Sequence, residues 1–363
     1  MKILLLCTDA YGGHGGIALY NRDLAEALAA REDVEDVIVV PRVIRSEVRD
    51  VPAKVTFHAD AARGPLQYLR AIARARAARP DLVICGHINL LPVACSLARH
   101  PLLMIYGIEA WKHVPRRLAN RLLHRARAIV SISEITRDRL LAWSGYRGRT
   151  YLLPNAIHAE AYGIRDKRAD LVKRYGVEGK RVLLTVGRLA AEERYKGFDE
   201  VLEILGELPS DVVYMIAGGG NDAVRLQQKA AQLGVGSRVI FTGLFPEEDK
   251  PDLYALADVY VMPSRGEGFG YVLLEALASG VPVIGSKHDG GREALLDGEL
   301  GLLVDPANPA EIVVTLREVL DFSGPRRVPE LLEYFSFEKF RTRLNAIVDE
   351  ARGLQHRGRT RRA

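Results

Sequence analysis

A chain of 363 residues, 48% hydrophobic and 27% charged, exceeds what one hydrophobic core usually holds and has ordinary globular composition, so two domains are expected. Its net charge of +5 is uneven: Lys and Arg outnumber Asp and Glu by 23 to 14 over the first 150 residues, whereas the remainder is slightly acidic, 28 to 32. No apolar run approaches the roughly 18–20 residues of a membrane span, and Cys7, Cys85 and Cys95 have no metal-ligand spacing, so membrane-spanning helices and cysteine–zinc sites are excluded and reduced thiols in a cytoplasmic protein are expected.

The opening "MKILLLCTDA" reads as a buried strand, since it lacks the apolar length and small-residue cleavage site of a signal peptide. "GGHGGIALYNRDLAEALAA" follows, with Ile17, Tyr20, Leu24 and Leu28 at helical spacing. "VEDVIVVP", "DLVICG", "PLLMIYG" and "IVSISE" then read as strands, and "PLQYLRAIARARAARP", "LLPVACSLARH" and "RRLANRLLHRARA" as the helices among them. The polar, Pro-containing "YLLPNAIHAEAYGIRDKRAD" reads as a connection between domains. Beyond it, strands are expected in "RVLLTVGRL", "DVVYMIAGGG", "RVIFTGLF", "DVYVMPS" and "VPVIGS", with a final turn through "GLLVDP". Helices are expected in "KGFDEVLEILGEL", "AVRLQQKAAQLGV", "KPDLYALA" and "FGYVLLEALASG". An amphipathic helix, "SFEKFRTRLNAIVDEARG", and a basic tail, "HRGRTRRA", close the chain.

Alternation of this kind predicts the α/β class, with two parallel, doubly wound sheets and ligand sites at the carboxyl ends of their strands. The domains read as residues 1–155 and 156–330, with 331–363 a helix and tail free to pack back on the first.

Four strand exits carry glycines: "GGHGG", "VGRL", "AGGG" and "GEGFG". Glycine there lets the backbone turn or approach a ligand, and the following helix start attracts anions. Each is also what a plain tight turn looks like. Four at one topological position favour a phosphorylated ligand. Arg188 leaves one of these strands and Lys196 opens the next helix, where a guanidinium fork and an ammonium would meet phosphate oxygens. In "SRGEGFGYVLLEALASG", Gly268 and Gly270 preclude a helix through Glu267, so this carboxylate belongs to a loop. Leu273, Leu274 and Leu277 mark a helix starting near Tyr271, with Glu275 in its early turns. Two carboxylates flanking an anion-binding helix start suit the hydroxyls and phosphates of a nucleoside diphosphate sugar.

These stretches resemble the family 4 glycosyltransferases, retaining enzymes of the two-domain GT-B fold. The resemblance rests on "VGRL" with "YKG", "MIAGGG", "RVIFTG", "ADVYVMPSRGEGFGYVLLEALASGVPVIGS" and "DGELGLLVDP", and more loosely on "GGIALYNRDLAEAL", "VSISEITRDRL" and "LLPN". It spans nearly the whole chain and implies two Rossmann-like domains facing a central cleft. It implies that Arg188 and Lys196 bind the donor diphosphate, that Glu267 holds hydroxyls of the transferred sugar, and that Glu275 holds the ribose. Backbone around Gly268, Phe269, Gly270 and Tyr271 would contact sugar and phosphate, and Gly15 and Gly16 would approach the diphosphate from the first domain. Many relatives carry a histidine where this chain has Tyr106. Tyr106, Glu109, His14 and His87 are therefore the candidates on the acceptor side, His87 being equally readable as a structural residue.

The implied activity is transfer of a hexose from a nucleoside diphosphate sugar to a saccharide or lipid-linked acceptor in cell-surface polysaccharide or lipopolysaccharide synthesis. The donor is a substrate, and no cofactor or metal is expected: the chain has no D-x-D flanked by apolar residues and no H-E-x-x-H or C-x-x-C. A silent relative that binds nucleotide sugars or scaffolds an assembly is the alternative. It has no physical need for Arg188, Lys196, Glu267 and Glu275 together. In the basic half, "WKHVPRRLANRLLHRARAIV" sets Leu118, Leu122 and Leu123 among Lys112, Arg116, Arg117, Arg121, Arg125 and Arg127, and "YLRAIARARAARP" repeats the mixture. Leucines packed inward with solvated arginines is one reading. A helix resting on the anionic inner face of the membrane is the other. Nucleic acid is not expected as a partner, because stacking aromatics and a reading motif are missing.

Overall fold

The computed structural model describes residues 1–113, 117–322 and 324–360. Arg116 of the basic stretch and the last three residues of the tail lie outside them. Apolar runs without polar alternation are what a parallel sheet covered on both faces requires, and they build two such sheets. The first contains β1 (Lys2–Cys7), β2 (Asp36–Pro41), β3 (Val55–Phe57), β4 (Leu82–Gly86), β5 (Leu102–Ile105), β6 (Ala128–Ser131) and β7 (Arg149–Leu152), in the order β3-β2-β1-β4-β5-β6-β7. The second contains β8 (Arg181–Val186), β9 (Val212–Ala217), β10 (Val239–Gly243), β11 (Val259–Val261), β12 (Val283–Ser286) and β13 (Leu302–Val304), in the order β10-β9-β8-β11-β12-β13. The pairings between these strands are parallel, in register such as Leu4↔Ile38, Leu5↔Ile84 and Leu183↔Tyr214.

Crossover helices cover the sheets. With the first go α1 (Gly16–Ala29), α2 (Pro65–Ala77), α3 (Leu91–Leu97), α4 (Arg117–Leu122) and α5 (Glu134–Ser144). With the second go α6 (Ala169–Tyr175), α7 (Phe198–Ile204), α8 (Ala223–Gln232), α9 (Lys250–Leu256), α10 (Tyr271–Ala278), α11 (Gly291–Ala294) and α12 (Pro309–Asp321). Each sheet has its own core. One joins Leu4, Leu6, Val83, Leu103 and Ile129 to Ala71 and Leu91; the other joins Leu183, Tyr214, Ile216 and Val259 to Leu202, Leu226 and Leu316.

Contacts divide the chain into two compact units, Met1–Ala156 with everything from Phe337 onward, and Ile157–Ser336. The last helix, α13 (Phe337–Thr360), packs on the first unit. There Tyr20 and Phe340 meet edge to face at 5.4 Å, Arg31 pairs with Asp349 at 2.6 Å, and Arg127 donates to the Ala351 carbonyl at 3.2 Å. The three cysteines are buried and unbridged.

The structure departs from the sequence reading at the edges. Tyr151 and Leu152, taken for connection, belong to edge strand β7. α5 and α12 went unread although both carry helix-start chemistry: Ser133 Oγ accepts from the Thr136 amide, and Asn308 accepts from the Glu311 amide ahead of Pro309. The helix expected over "RRLANRLLHRARA" stops at Leu122 and continues as a 3₁₀ turn, Leu123–Arg125. Of its leucines, Leu123 is buried while Leu118 is 57% exposed, so they do not all pack inward.

Candidate functional site

Strand order in both sheets reverses at one place, between β1 and β4 and between β8 and β11. Loops leaving such a neighbouring pair diverge to opposite faces and open a crevice at the carboxyl edge. Arg188 leaves β8 and Glu267 lies beyond β11, so topology brings their loops side by side. The segment Ala191–Lys196 after β8 is tied to the loop after β11 by the Arg265 amide, which donates to the Tyr195 carbonyl at 2.7 Å. Gly197 follows with φ of 87°, and a Cβ there would lie 2.7 Å from the Pro263 carbonyl oxygen, so glycine permits this close approach.

Within this frame Lys196 Nζ lies 3.1 Å from Glu267 Oε2 and 3.7 Å from Glu193 Oε2. Glu193 Oε1 in turn pairs with Arg188, whose guanidinium is 73% exposed. Burial alone would lower the Lys196 ammonium, but Glu267, Tyr195 and Glu193 outweigh it and hold the group above its ordinary value. Two cations therefore converge with the Glu267 and Glu193 carboxylates, Lys196 nearer Glu267 and Arg188 on Glu193.

Past Glu267 the chain turns into α10 through Gly270, whose φ of 98° suits glycine. Phe269 is buried against Phe335 at 5.5 Å, and the Phe269 and Gly270 amides donate to no backbone carbonyl among the described residues. Glu275 is the fifth residue of α10 and only 2% exposed. It does not join the Lys196 cluster. Its Oε1 lies 3.0 Å from Lys250 Nζ, and its Oε2 accepts from Tyr254 Oη at 2.7 Å. Burial lowers Lys250, while Glu275 and Glu247 raise it by more, so it too is held cationic. Each glutamate of the motif thus has its own lysine. Sequence reasoning missed Lys250, because a lysine after Glu247, Glu248 and Asp249 looks like any solvated charge.

The "AGGG" run serves packing. A Cβ on Gly218 would lie 2.0 Å from the Gly187 carbonyl oxygen, and one on Gly220 would lie 2.1 Å from that of Leu189. These glycines let the exits of β8 and β9 run backbone to backbone, through Gly187 N–H to Ala217 at 2.9 Å and Leu189 N–H to Gly219 at 3.0 Å.

In the first unit, His14, Gly15 and Gly16 are exposed at the start of α1, and a Cβ on Gly15 would meet nothing within 4 Å. His87 Nδ1 accepts from the Asn89 amide at 3.0 Å, capping the 3₁₀ turn Ile88–Leu90. Tyr106 is 6% exposed and donates from Oη to Asn21 Oδ1 at 2.8 Å, while Asn21 Nδ2 donates to the Asp9 carbonyl at 2.9 Å. Its O–H is thus donated inside the fold, and the side chain is buried. Glu109 Oε1 accepts from the Tyr106 amide at 2.5 Å. Burial raises the Glu109 carboxyl despite the amides of Tyr106, Glu109 and Gly107, and the side chain closes the exit of β5. Among the described residues no group of three or more His, Cys, Asp or Glu side chains is placed to hold a metal ion, and no helix is long and apolar enough to cross a membrane.

The family "Glycosyl transferase 4-like domain" matches residues 15–156 and "Glycosyl transferases group 1" matches residues 167–330, the latter containing Arg188, Lys196, Glu267 and Glu275. The chain belongs to the group 1, family 4 glycosyltransferases. It is 33% identical over 244 residues to the GDP-mannose-dependent alpha-(1-6)-phosphatidylinositol monomannoside mannosyltransferase of Mycolicibacterium smegmatis, a match covering 63% of each chain. It is 29% identical over 211 residues to alpha-D-kanosaminyltransferase of Streptomyces kanamyceticus, covering 55% of this chain and 52% of that one. The chain thus spans less than two thirds of the length of these curated relatives. Among solved structures, HepE of Anabaena, in complex with UDP and glucose, matches with a TM-score of 0.77 over 96% of this chain and 100% of that one, at 22% identity. The apo lipopolysaccharide outer core galactosyltransferase WaaB matches with a TM-score of 0.71 over 96% and 99%, at 19% identity. At that identity the likeness speaks to fold. This glycosyltransferase has the GT-B architecture, two parallel-sheet α/β domains.

Proposed function

We propose that this glycosyltransferase moves a hexose from a nucleoside diphosphate sugar to a saccharide or lipid-linked acceptor, with retention of anomeric configuration and without a metal ion, in the synthesis of cell-surface polysaccharide or lipopolysaccharide. The observation that carries the reading is the Lys196–Glu267 pair at 3.1 Å, with Arg188 beside it on Glu193. A diphosphate entering this group replaces Glu193 as the partner of Arg188 and lies against Lys196. Arg188 then forks onto its oxygens, Lys196 adds a point charge, and the helix start at Phe269–Tyr271 adds amide dipoles.

The step these groups assist is departure of the nucleoside diphosphate from the anomeric carbon. Negative charge builds on the leaving oxygens and positive charge on the sugar ring, as is usual for glycosyl transfer. Preorganised cations stabilise the first. Glu267 holds sugar hydroxyls beside the second, and Glu275, which already meets Lys250, Tyr254 and Tyr162, accepts from the ribose. The acceptor attacks on the face the diphosphate leaves. His14 and Glu109 stay as acceptor-side candidates of the first unit.

We further assign the protein to the inner face of the membrane, from the cytoplasm. Leu66 and Leu69 of α2 are 68% and 63% exposed, in the same helix as Arg70, Arg74 and Arg76. Such a mixture suits anionic headgroups. Flotation with anionic vesicles at physiological salt checks this assignment. The transfer itself is tested by incubating the chain with hexoses carried on UDP, GDP and ADP, following nucleotide release and the anomeric proton of the product by NMR. Release without retention overturns the stereochemical part. Tight nucleotide-sugar binding without release from any donor returns the silent, sugar-nucleotide-binding alternative.

A further inference from the structure

Asp289 follows β12, is 2% exposed, and has no part in the chemistry above. Its Oδ2 accepts from Ser264 Oγ at 2.6 Å and from the Glu267 amide at 2.9 Å, and its Oδ1 accepts from the Gly291 amide at 3.0 Å. In return the Gly290 amide donates to the Glu267 carbonyl at 2.9 Å. The two segments are so close that a Cβ on Gly290 would lie 2.0 Å from the Gly268 carbonyl oxygen. Both backbone groups of Glu267 are therefore fastened to the turn after β12, the amide by the Asp289 side chain and the carbonyl by the Gly290 amide.

We propose that Asp289 is a positioning residue of the donor site: its carboxylate fixes the backbone of Glu267 and so aims the Glu267 side chain at Lys196 and at the sugar. The proposal rests on the reading of Glu267 as the carboxylate that holds the sugar. It extends the site to a strand exit, that of β12, which the sequence reading left unassigned.

The position is also poised to titrate. Burial pushes the Asp289 carboxyl up to about 6, with the Ser264 hydroxyl and the Glu267 and Gly291 amides pulling it down and the Glu267 carboxylate pushing it up. Other charges nearby are engaged elsewhere: Lys196 with Glu267, His288 with Asp305 at 3.3 Å, and Arg292 with Asp297 at 2.6 Å. From α10 the neighbour is the apolar Leu273, whose Cδ1 faces Gly291. Adding a proton to Asp289 converts one acceptor into a donor, and an N–H or O–H that it held loses its partner.

Two variants and two readouts test this. Asp289→Asn keeps the size of the side chain and removes one acceptor. Its kcat is expected to fall about tenfold or more while the affinity for UDP or GDP, whichever the wild type binds, stays within about twofold. The wild-type acid limb near pH 6 should be lost in this variant. Ser264→Ala removes a donor to the anion and should move that limb to higher pH. In hydrogen exchange at one fixed pH, the Glu267 amide should exchange about tenfold faster in Asp289→Asn than in the wild type. An unchanged acid limb in both variants, or unchanged Glu267 exchange in Asp289→Asn, overturns the proposal. Should Asp289→Asn fail to fold, the Ser264→Ala limb decides. A wild type that transfers from no nucleotide sugar defeats the functional reading instead, and the exchange comparison then decides this proposal alone.

Discussion

Lys196 Nζ and Glu267 Oε2 sit 3.1 Å apart although 71 positions separate them in sequence. The contact follows from topology: β8 and β11 are neighbours at the point where strand order reverses, paired through Val259↔Leu183 and Tyr260↔Leu184. In the proposed chemistry this lysine faces developing negative charge, and groups of that kind are typically worth about 10²–10³ in kcat. Lys196→Ala is expected to lose that much transfer and to weaken nucleoside diphosphate binding. Glu267→Ala should lose comparable transfer with diphosphate binding kept within a few fold. Calorimetry with UDP and GDP alongside initial rates separates the two, and full activity in either variant removes the site.

Arg188 poses a different case because its side chain is 73% exposed and its ion pair is with Glu193. Its contribution should be to diphosphate affinity, through a fork that lysine cannot reproduce. Arg188→Ala is expected to weaken UDP or GDP binding about tenfold, a typical loss for a charge-assisted contact, and Arg188→Lys to recover part of it. The wild-type affinity should also fall with added salt more steeply than that of the alanine variant.

Lys250 and Glu275 make a buried pair whose loss should be read in stability. Glu275 is 2% exposed, and Lys250 Nζ at 3.0 Å supplies its counter-charge. Breaking such a pair from one side typically costs about 3–5 kcal/mol, since a buried charge is left uncompensated. Lys250→Ala should show this in urea unfolding, and Lys250→Ala combined with Glu275→Gln should cost less than the single change. The folded Lys250 is held above its ordinary value. Its contribution is therefore fully present below the unfolded lysine range and is lost as pH rises through the raised folded value. Between neutral pH and the alkaline region, stability of the wild type should fall and that of Lys250→Ala should fall less.

The residues that made the sequence legible are those whose local pattern matches their final geometry. Gly268 and Gly270 placed Glu267 on a loop, and the leucines after Tyr271 placed the start of α10, as found. Alternating apolar runs and helical periodicity gave both sheets their central strands. Edge strands β3 and β7 escaped, because three or four residues paired on one side carry little apolar pattern. The α12 start was readable in "NPAE" and was not used. Lys250 and Asp289 were not readable, since burial created by chain segments far apart in sequence turns an ordinary charged side chain into a partner of the site. The "AGGG" glycines carry two readings for a related reason: close approach of two backbones and close approach of a phosphate demand the same residue.

Tyr106 offers a test between an acceptor-side role and one inside the fold. Its Oη donates to Asn21 Oδ1 at 2.8 Å, and Asn21 is fully buried. Burial raises the Tyr106 phenol well above its ordinary value, so at neutral pH it is protonated and a donor. Tyr106→Phe keeps the ring against Tyr20, which it meets edge to face at 5.3 Å. What it removes is the proton that satisfies Asn21, and a buried acceptor left without a partner costs about 1–3 kcal/mol. The variant is expected to unfold at lower urea with an unchanged m-value, while its kcat and its KM for acceptor stay within about twofold of the wild type. A hydroxyl that touched the acceptor would give the opposite pattern, a raised acceptor KM with little loss of stability, and that result would return Tyr106 to the site.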